Sequence, residues 1–179
     1  MEIKVLHQHF LNSSGINTVT RSTKAEQIFF ALKGEKFNGN EYASQAINKG
    51  ASYAVIDEEE FIRGENYLRV ENVLETLQRL ATFHRKYLSI PILAITGSNG
   101  KTTTKELINA VLQKKYNTAA TVGNLNNHIG VPLTLLSMTS DTEFGIVEMG
   151  ANHHREIAAL CQIAEPDFGY ITNFGKAHI

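Results

Sequence analysis

A short run of small, hydroxyl-bearing and basic residues has the spacing of a phosphate-binding turn. Its sequence is Thr96-Gly97-Ser98-Asn99-Gly100-Lys101-Thr102-Thr103, with an apolar stretch before it and a helix-forming pattern after it. Two glycines allow a tight turn that brings several backbone N–H groups close to one anion, and a helix beginning near Lys101 adds its positive dipole end. Lys101 adds a full charge, and the Thr102 hydroxyl is a ligand for a phosphate-bound magnesium ion. We predict that residues 96–103 bind the phosphates of a nucleotide.

This turn is shorter than the common G-x-x-x-x-G-K-[ST] form. The longer form would need glycine at position 95, where this chain has Ile95. The alternative interpretation is a serine- and threonine-rich turn in front of an ordinary helix. The apolar strand before the turn and the helix pattern after it favour the nucleotide site.

Two further residues that could hold a metal ion follow predicted strands. Glu148 follows the apolar run 145–147, where a carboxylate is costly unless it meets a cation or is hydrogen-bonded as a buried structural acid. His178 follows the next predicted strand, but magnesium prefers oxygen ligands, so residue chemistry alone favours a hydrogen-bonded loop histidine. The adjacent pair His153 and His154 should point apart at a helix start, which argues against their being ligands.

The loop at residues 123–132 is rich in amides, with Asn124, Asn126 and Asn127 lying between two glycines and Pro132. One interpretation is a tight loop that uses the tolerance of asparagine for left-handed backbone conformations. The other is a binding loop for a polar ligand such as a sugar or a peptide. The residues alone do not favour one over the other.

The elements that must position these residues alternate between strands and helices. Apolar periodicity predicts helices at 3–11, 42–50, 73–87, 101–114, 132–138 and 156–161, and strands at 27–32, 53–56, 67–70, 92–95, 118–122, 144–149 and 168–171. Such alternation predicts parallel sheets, whose strands place ligands at their carboxyl ends. A loop is expected at 33–40 and a solvated acidic turn at 57–60. Pro91 separates two predicted α/β domains, 1–87 and 88–179.

Composition excludes several classes of protein. The 179 residues carry a net charge of −1, and the longest basic run is Lys114-Lys115, so nucleic acid is not an expected partner. The one cysteine, Cys161, lies in an apolar helix pattern and is expected to be a core thiol. No apolar run approaches 18 residues and no leader pattern opens the chain. We expect a soluble, cytoplasmic monomer without membrane insertion.

Three strings together resemble the Mur ligases, the ATP-dependent amide-forming enzymes of bacterial cell-wall synthesis. They are the phosphate turn, the loop from Gly123 to Pro132, and Val147-Glu148-Met149-Gly150-Ala151-Asn152. Within the family they are similar to the branch that joins D-alanyl-D-alanine to UDP-N-acetylmuramoyl-tripeptide. The segments around Thr20-Arg21 and Lys33-Gly34 resemble the UDP-binding domain of that family. The resemblance covers nearly the whole chain.

The resemblance implies roles for individual residues. ATP and Mg²⁺ would be the cofactors, with Lys101, Glu148 and His178 catalytic and with Thr102, Glu148 and His178 as metal ligands. The substrates would be bound by the residues of two regions, namely Thr20, Arg21, Lys33, Gly34, Asn124, Asn126 and Asn127. The fold would be a small UDP-binding α/β domain (1–87) followed by the first part of a P-loop, parallel-sheet ATPase domain (88–179).

Some features depart from the family pattern or leave alternatives open. Val19 stands where an acidic residue is common, and Asn38-Gly39-Asn40 replaces Asp-Gly/Ala-His, which bears on the nucleotide-sugar contacts. Because no helix pattern follows the last strand, the chain is expected to be a fragment cut within the second domain. The alternatives are another amino-acid-adding Mur ligase, a folate- or cyanophycin-type amide ligase, and a non-catalytic nucleotide-sugar-binding fragment.

Overall fold

The computed structural model describes residues 1–175 of the chain. The predictions for His178 therefore lie outside the described residues. The chain divides into two compact units, the first spanning Met1–Leu80 and the second beginning at Ala81. None of the helices in residues 1–175 is long and apolar enough to cross a lipid bilayer.

The first unit is built on a sheet of four parallel strands in the order β1-β2-β5-β6. The strands are β1 (Ile16–Asn17), β2 (Ile28–Phe30), β5 (Tyr53–Ile56) and β6 (Tyr67–Arg69). A two-stranded antiparallel hairpin, β3 (Lys33–Gly34) with β4 (Phe37–Asn38), occupies the region where a loop was expected. The helices are α1 (Ile3–Leu11), α2 (Ala43–Asn48) and the first half of α3 (Val73–Leu88), with 3-10 turns at Thr20–Ser22, Gly39–Tyr42 and Glu59–Phe61.

Strand β2 is buried on both faces, because all three of its residues are no more than 2% exposed. A continuous apolar run of this kind is typical of parallel sheets covered on both sides. Helix α2 contributes Ala43 and Ala46, which are fully buried in the cluster that contains Phe29 and Ile56. Small side chains on the helix let its backbone approach the sheet closely, so the larger strand residues fill the remaining volume.

The second unit is built on a sheet of four parallel strands in the order β10-β7-β9-β8. The strands are β7 (Ile92–Thr96), β8 (Thr118–Ala120), β9 (Phe144–Glu148) and β10 (Phe168–Ile171). Three helices connect them, namely α4 (Lys101–Leu112), α5 (Gly130–Leu136) and α6 (Glu156–Ala164). The α/β class with parallel sheets is thus confirmed, and the carboxyl ends of these strands share one edge.

The core of the second unit lies under the central strands, where Ile92, Ile95, Ile146 and Leu135 are fully buried. The edge strand β10 differs, because all four of its residues are exposed. The predicted core thiol of Cys161 is only half-buried, and burial raises the pKa of that thiol.

Arg85 connects the end of helix α6 with Asp167 at the amino-terminal edge of this sheet. Its guanidinium donates to the carbonyls of Ala164 and Glu165 at the end of α6 and to the carboxylate of Asp167 at 2.8 Å. The same Asp167 oxygen accepts the N–H of Ile92, the first residue of β7, at 2.8 Å. A cation at the carboxyl end of a helix satisfies carbonyls that have no partner within the helix and also complements its dipole.

The prediction of a solvated acidic turn at residues 57–60 is wrong for Asp57. Its side chain is only 7% exposed and pairs with Lys33 at 3.0 Å. It also accepts hydrogen bonds from the side chain of Asn40 at 2.9 Å and, more weakly, from the N–H of Val73 at 3.4 Å. A run of acidic residues in a sequence favours a solvated turn, but it does not reveal partners that are distant along the chain. The partners of Asp57 lie 16 or more residues away from it.

Candidate functional site

The phosphate turn lies between β7 and α4, as the sequence predicts. Gly97 has φ +137° and Gly100 has φ +78°, both in the left-handed region that favours glycine. A β-carbon on Gly97 would also collide with the hydroxyl of Thr172. Position 97 therefore requires glycine for two reasons, its backbone angle and the close approach of Thr172.

Lys101 is the first residue of α4 and folds back over the turn. Its ammonium donates to the carbonyl of Gly97 at 2.7 Å and lies 3.4 Å from that of Ser98. Thr102 and Thr103 are exposed on the first helical turn, and the Thr96 hydroxyl donates to the carbonyl of Met149 at 2.9 Å. The turn thus combines a cation, exposed hydroxyls and the N–H groups of a helix start, which have no acceptor within the helix itself.

Glu148 ends the neighbouring strand at the same edge of the sheet, where it lies opposite Ile95 in the register. The side chain is 2% exposed, and one oxygen accepts a hydrogen bond from the Asn126 amide at 2.9 Å. The other oxygen, Oε2, is buried and has no hydrogen-bond partner within residues 1–175. A buried carboxylate oxygen without a partner is costly, and a divalent cation would satisfy it.

Lys105 is a buried cation that the sequence analysis missed. The residue is 1% exposed, and its ammonium donates to the carbonyl of Thr121 at 2.6 Å and pairs with the carboxylate of Glu106 at 2.9 Å. Thr121 in turn accepts the backbone N–H of Glu148 through its hydroxyl at 2.9 Å. Lys105 therefore holds the residue that fixes the backbone of Glu148. The only indication of Lys105 in the sequence was its position four residues after Lys101, which places both lysines on the same helical face.

The asparagine-rich loop is largely held by its own amides. The side-chain amide of Asn126 donates to Glu148, and its backbone carbonyl accepts the N–H of Gly150 at 2.7 Å. The Asn127 side chain accepts the N–H groups of Ile129 and Gly130, at 3.0 and 2.9 Å, at the start of α5. Asn124 is exposed. Asn127 is exposed as well. None of the three asparagines has a positive φ, so the side-chain hydrogen bonds of Asn126 and Asn127 shape the loop, and left-handed backbone conformations do not.

The histidines near this edge do not form a metal cluster in the described part of the chain. Within residues 1–175, no group of three or more His, Cys, Asp or Glu side chains could hold a metal ion. His153 and His154 are exposed, and His153 pairs instead with Glu156 at 3.2 Å. Hydrogen bonds from the N–H groups of Asn152 and His153 lower the pKa of Glu156.

The predicted substrate residues of the first unit lie in two places. Thr20 and Arg21 belong to the 3-10 turn Thr20–Ser22, where Arg21 is exposed and the Thr20 carbonyl accepts Lys49 at 2.9 Å. Lys33 and Gly34 form β3, and the Lys33 ammonium pairs with Asp57 at 3.0 Å and with Glu58 at 3.1 Å.

These ion pairs change the electrostatics around Lys33. Hydrogen bonds to Asp57 and then to Glu58 raise the pKa of Lys33. Burial alone would raise the pKa of Asp57, but hydrogen bonds from Asn40 and Lys33 outweigh it and lower that pKa. The charge of Lys33 is thus already balanced by two carboxylates, whereas that of Arg21 remains exposed.

Comparison with known proteins gives consistent results across the chain. The Mur ligase middle domain matches residues 95–179, and the model described as Mur ligase family, catalytic domain, matches residues 12–85. The UDP-N-acetylmuramoyl-tripeptide–D-alanyl-D-alanine ligase of Bacillus subtilis is 41% identical over 92% of this chain and 36% of its own length. The Synechocystis ligase of the same name is 45% identical over 93% of this chain and 37% of its own length.

Solved structures agree with these relatives. A crystal structure of MurF from Acinetobacter baumannii superposes with a TM-score of 0.86 at 32% identity, covering 96% of this chain and 41% of that one. MurF ligase from Thermotoga maritima in complex with ADP gives a TM-score of 0.79 at 31% identity, covering 88% of this chain and 36% of that one. The chain spans about two fifths of the length of these proteins.

Proposed function

Since this chain belongs to the Mur ligase family, we propose that its protein joins D-alanyl-D-alanine to UDP-N-acetylmuramoyl-tripeptide with ATP. The named activity of the relatives supports this substrate assignment. The observation that carries the proposal is the pairing, at one sheet edge, of the phosphate turn with a buried carboxylate that has one oxygen without a described partner.

The reaction follows from the chemistry of amide formation. A carboxylate is a poor acyl donor at neutral pH, so the terminal carboxylate of the tripeptide first attacks the γ-phosphorus of ATP and ADP leaves. The amine of D-alanyl-D-alanine then attacks the acyl phosphate carbon, and the tetrahedral intermediate loses phosphate to form the amide. Positioning and charge neutralisation dominate catalysis of phosphoryl transfer.

The residues of the turn supply that neutralisation. The N–H groups at the start of α4 bind phosphate oxygens, and Lys101, freed from the carbonyl of Gly97, places its ammonium on the transferring group. The residues 96–103 form the nucleotide site. A Mg²⁺ ion held by Thr102 and Glu148, and a second ion held by His178, would neutralise charge on the phosphates when bound.

The substrate residues are assigned less directly. Arg21 is exposed and offers a forked pair of donors, which suits the diphosphate of the UDP-sugar. Lys33 and Gly34 lie in the same unit, although Lys33 must first release Asp57 or Glu58 to contribute its charge. Thr20 carries no charge, so it would contribute backbone groups to the binding of the UDP-sugar. Among the asparagines, Asn124 and Asn127 are both exposed. Asn124 is the candidate for the peptide, because the Asn127 side chain already accepts two N–H groups and Asn126 donates to Glu148.

The decisive experiment replaces Lys101 by alanine in the intact enzyme and follows acyl-phosphate formation and ligation. We expect the rate to fall by about 10³-fold or more, because a charge on the transferring group is lost. Lys114→Ala is the matched control, since Lys114 is exposed beyond the end of α4 and should leave the rate unchanged. Ligation by the Lys101→Ala variant at the wild-type rate would refute the proposal.

The acceptor specificity is tested separately with the wild-type enzyme. UDP-N-acetylmuramoyl-tripeptide and ATP are incubated with either D-alanyl-D-alanine or a free diamino acid as the acceptor. The same two acceptors are then tested with UDP-muramoyl-dipeptide as the alternative donor. Amide formation with D-alanyl-D-alanine alone supports the assignment. Ligation of free diaminopimelate or lysine, without ligation of D-alanyl-D-alanine, would instead identify an amino-acid-adding member of the family.

A further inference from the structure

The segment that follows β10, residues 172–175, hydrogen-bonds to the phosphate turn across about 75 positions of sequence. It is part of the stretch that ends in His178, but the proposed mechanism uses none of its residues. Two of its side chains, Thr172 and Asn173, contact the backbone of Ser98 and Asn99 within the turn. The turn and this segment start from neighbouring strands, since Ile171 lies opposite Thr96 in the register.

The side chain of Asn173 makes three hydrogen bonds to the middle of the turn, and its backbone carbonyl also accepts the N–H of Ser98, at 3.4 Å. Its side-chain carbonyl accepts the N–H groups of Ser98 and Asn99, each at 3.1 Å. Its amide group donates to the carbonyl of Asn99 at 3.2 Å. One side chain thus contacts three consecutive peptide groups of the turn, from the N–H of Ser98 to the carbonyl of Asn99.

Thr172 and Gly175 complete these contacts. The Thr172 hydroxyl lies 2.6 Å from the carbonyl of Asn99 and 3.3 Å from that of Thr96, so it bridges the two ends of the turn. The Ser98 hydroxyl donates to the carbonyl of Gly175 at 2.7 Å and accepts its N–H at 2.9 Å. The absence of a β-carbon at Gly97 provides the space for the Thr172 hydroxyl.

The shape of the turn is therefore not set by the turn alone. Gly97 and Gly100 give the four residues 97–100 a backbone with many accessible conformations, and ordering such a backbone costs conformational entropy. Contacts from outside must select one conformation. The N–H groups of Ser98 and Asn99 are also committed to Asn173, so the phosphate must be bound by the N–H groups at the helix start, from Gly100 to Thr103.

We propose that Asn173, assisted by the Thr172 hydroxyl, is a positioning residue for nucleotide binding. It holds the peptide of Ser98 and Asn99 away from the phosphate and so presents the amides of the first turn of α4 to it. This role rests on the proposed function, because it assumes that the turn binds a nucleotide. The contacts themselves are independent of that assumption.

The test compares Asn173→Ala with wild type in the intact enzyme, using calorimetry with ATP–Mg²⁺ and with ADP. We expect a rise in Kd of about tenfold for both nucleotides, because the N–H of Asn99 loses its partner and the N–H of Ser98 keeps only the backbone carbonyl of residue 173, at 3.4 Å. The carbonyl of Asn99 keeps the Thr172 hydroxyl. The KM for the peptide substrate should stay unchanged. Hydrogen exchange at the Ser98 and Asn99 amides should become faster, which reports the contact without any nucleotide.

Two further sets of variants distinguish positioning from general destabilisation. Asn117 precedes β8, at the amino-terminal edge of the sheet and away from the phosphate turn, and its side-chain amide donates to the carbonyl of Asp141 at 2.7 Å. Asn117→Ala should leave the nucleotide Kd unchanged. Thr172→Val should weaken nucleotide binding several-fold, and Thr172→Ser, which keeps the hydroxyl, should restore it.

The outcomes separate this inference from the proposed function. Wild-type protein that binds ATP, together with an Asn173→Ala variant whose Kd is within twofold of wild type, would overturn the inference alone. Equal weakening by Asn117→Ala would also overturn it. Wild-type protein that binds no nucleotide would overturn the proposed function and this role with it.

Discussion

The two units each place a carboxylate at the carboxyl end of a buried parallel strand, and the two carboxylates have different surroundings. Asp57 follows β5 in the first unit and is satisfied by Lys33, Asn40 and the N–H of Val73. Glu148 ends β9 in the second unit and accepts one hydrogen bond from Asn126, while Oε2 has no partner within residues 1–175.

The difference indicates how to separate a structural acid from a candidate ligand. Burial alone does not distinguish them, since both side chains are nearly inaccessible to solvent. What distinguishes them is the count of satisfied lone pairs, because a protein rarely leaves a buried polar atom without a partner unless another group binds there. By this criterion Asp57 stabilises the first unit, and Glu148 is available to a cation.

The largest expected effects come from exchanging each carboxylate for its amide. Glu148→Gln should lower kcat by about 10²–10³-fold, since the amide cannot neutralise a cation, and should leave the melting temperature unchanged or higher. Asp57→Asn should do the reverse, with a kcat within about threefold of wild type and a loss of about 1–2 kcal/mol of stability. Steady-state kinetics and thermal unfolding of the intact enzyme measure both. A Glu148→Gln enzyme of normal activity would remove the distinction between the two acids.

The next effect concerns stability alone and compares two lysines: Lys33, which pairs with Asp57, and Lys105, which is linked to Glu148 through Thr121. Lys105 is 1% exposed and holds the carbonyl of Thr121, so Lys105→Ala should cost about 2–4 kcal/mol through a cavity and an unsatisfied acceptor. The Lys33 side chain is 45% exposed, so Lys33→Ala should cost about 1 kcal/mol or less. Denaturant unfolding measures both. Equal losses would show that burial does not set the contribution of these cations.

The smallest expected effect is a difference in acid sensitivity between the units. Burial lowers the pKa of His84, in the second unit, against the opposing hydrogen bond to the carbonyl of Met138. As the pH falls, His84 therefore binds a proton in the unfolded chain before it does so in the folded protein. The stability of the fold decreases as the pH drops below about 6.5. The pKa of Asp57 is also lowered, so its contribution is present above about pH 3.9 and is lost as the pH falls through the folded-state pKa.

Variants assign these two changes to their residues. His84→Gln should flatten the dependence of the melting temperature between about pH 7 and 5, and Asp57→Asn should flatten it only below about pH 4.5. Thermal unfolding over both ranges provides the measurement. An unchanged slope between about pH 7 and 5 in His84→Gln would show that another group controls the upper range.

Local patterns in the sequence predicted most strands and helices of both units, but not strand β1 or the hairpin of β3 and β4. Strand β5, helix α1 and strand β10 have the predicted bounds, because apolar periodicity and glycine positions are properties of neighbouring residues. The same is true of the phosphate turn, whose glycines and Lys101 lie within five positions of each other. The strand-end position of Glu148 follows from the alternation of elements, which determines a parallel sheet.

The partners of the polar groups depend on the three-dimensional packing. The burial of Lys105, the pairing of Asp57 with Lys33 and the division of roles among the asparagines all depend on segments distant in sequence. The contact of Asn173 with Ser98 joins residues 75 positions apart. A hydrogen bond requires a donor–acceptor distance that is correct to within a few tenths of an ångström. The packing of strands and helices sets that distance, and residue spacing along the chain does not.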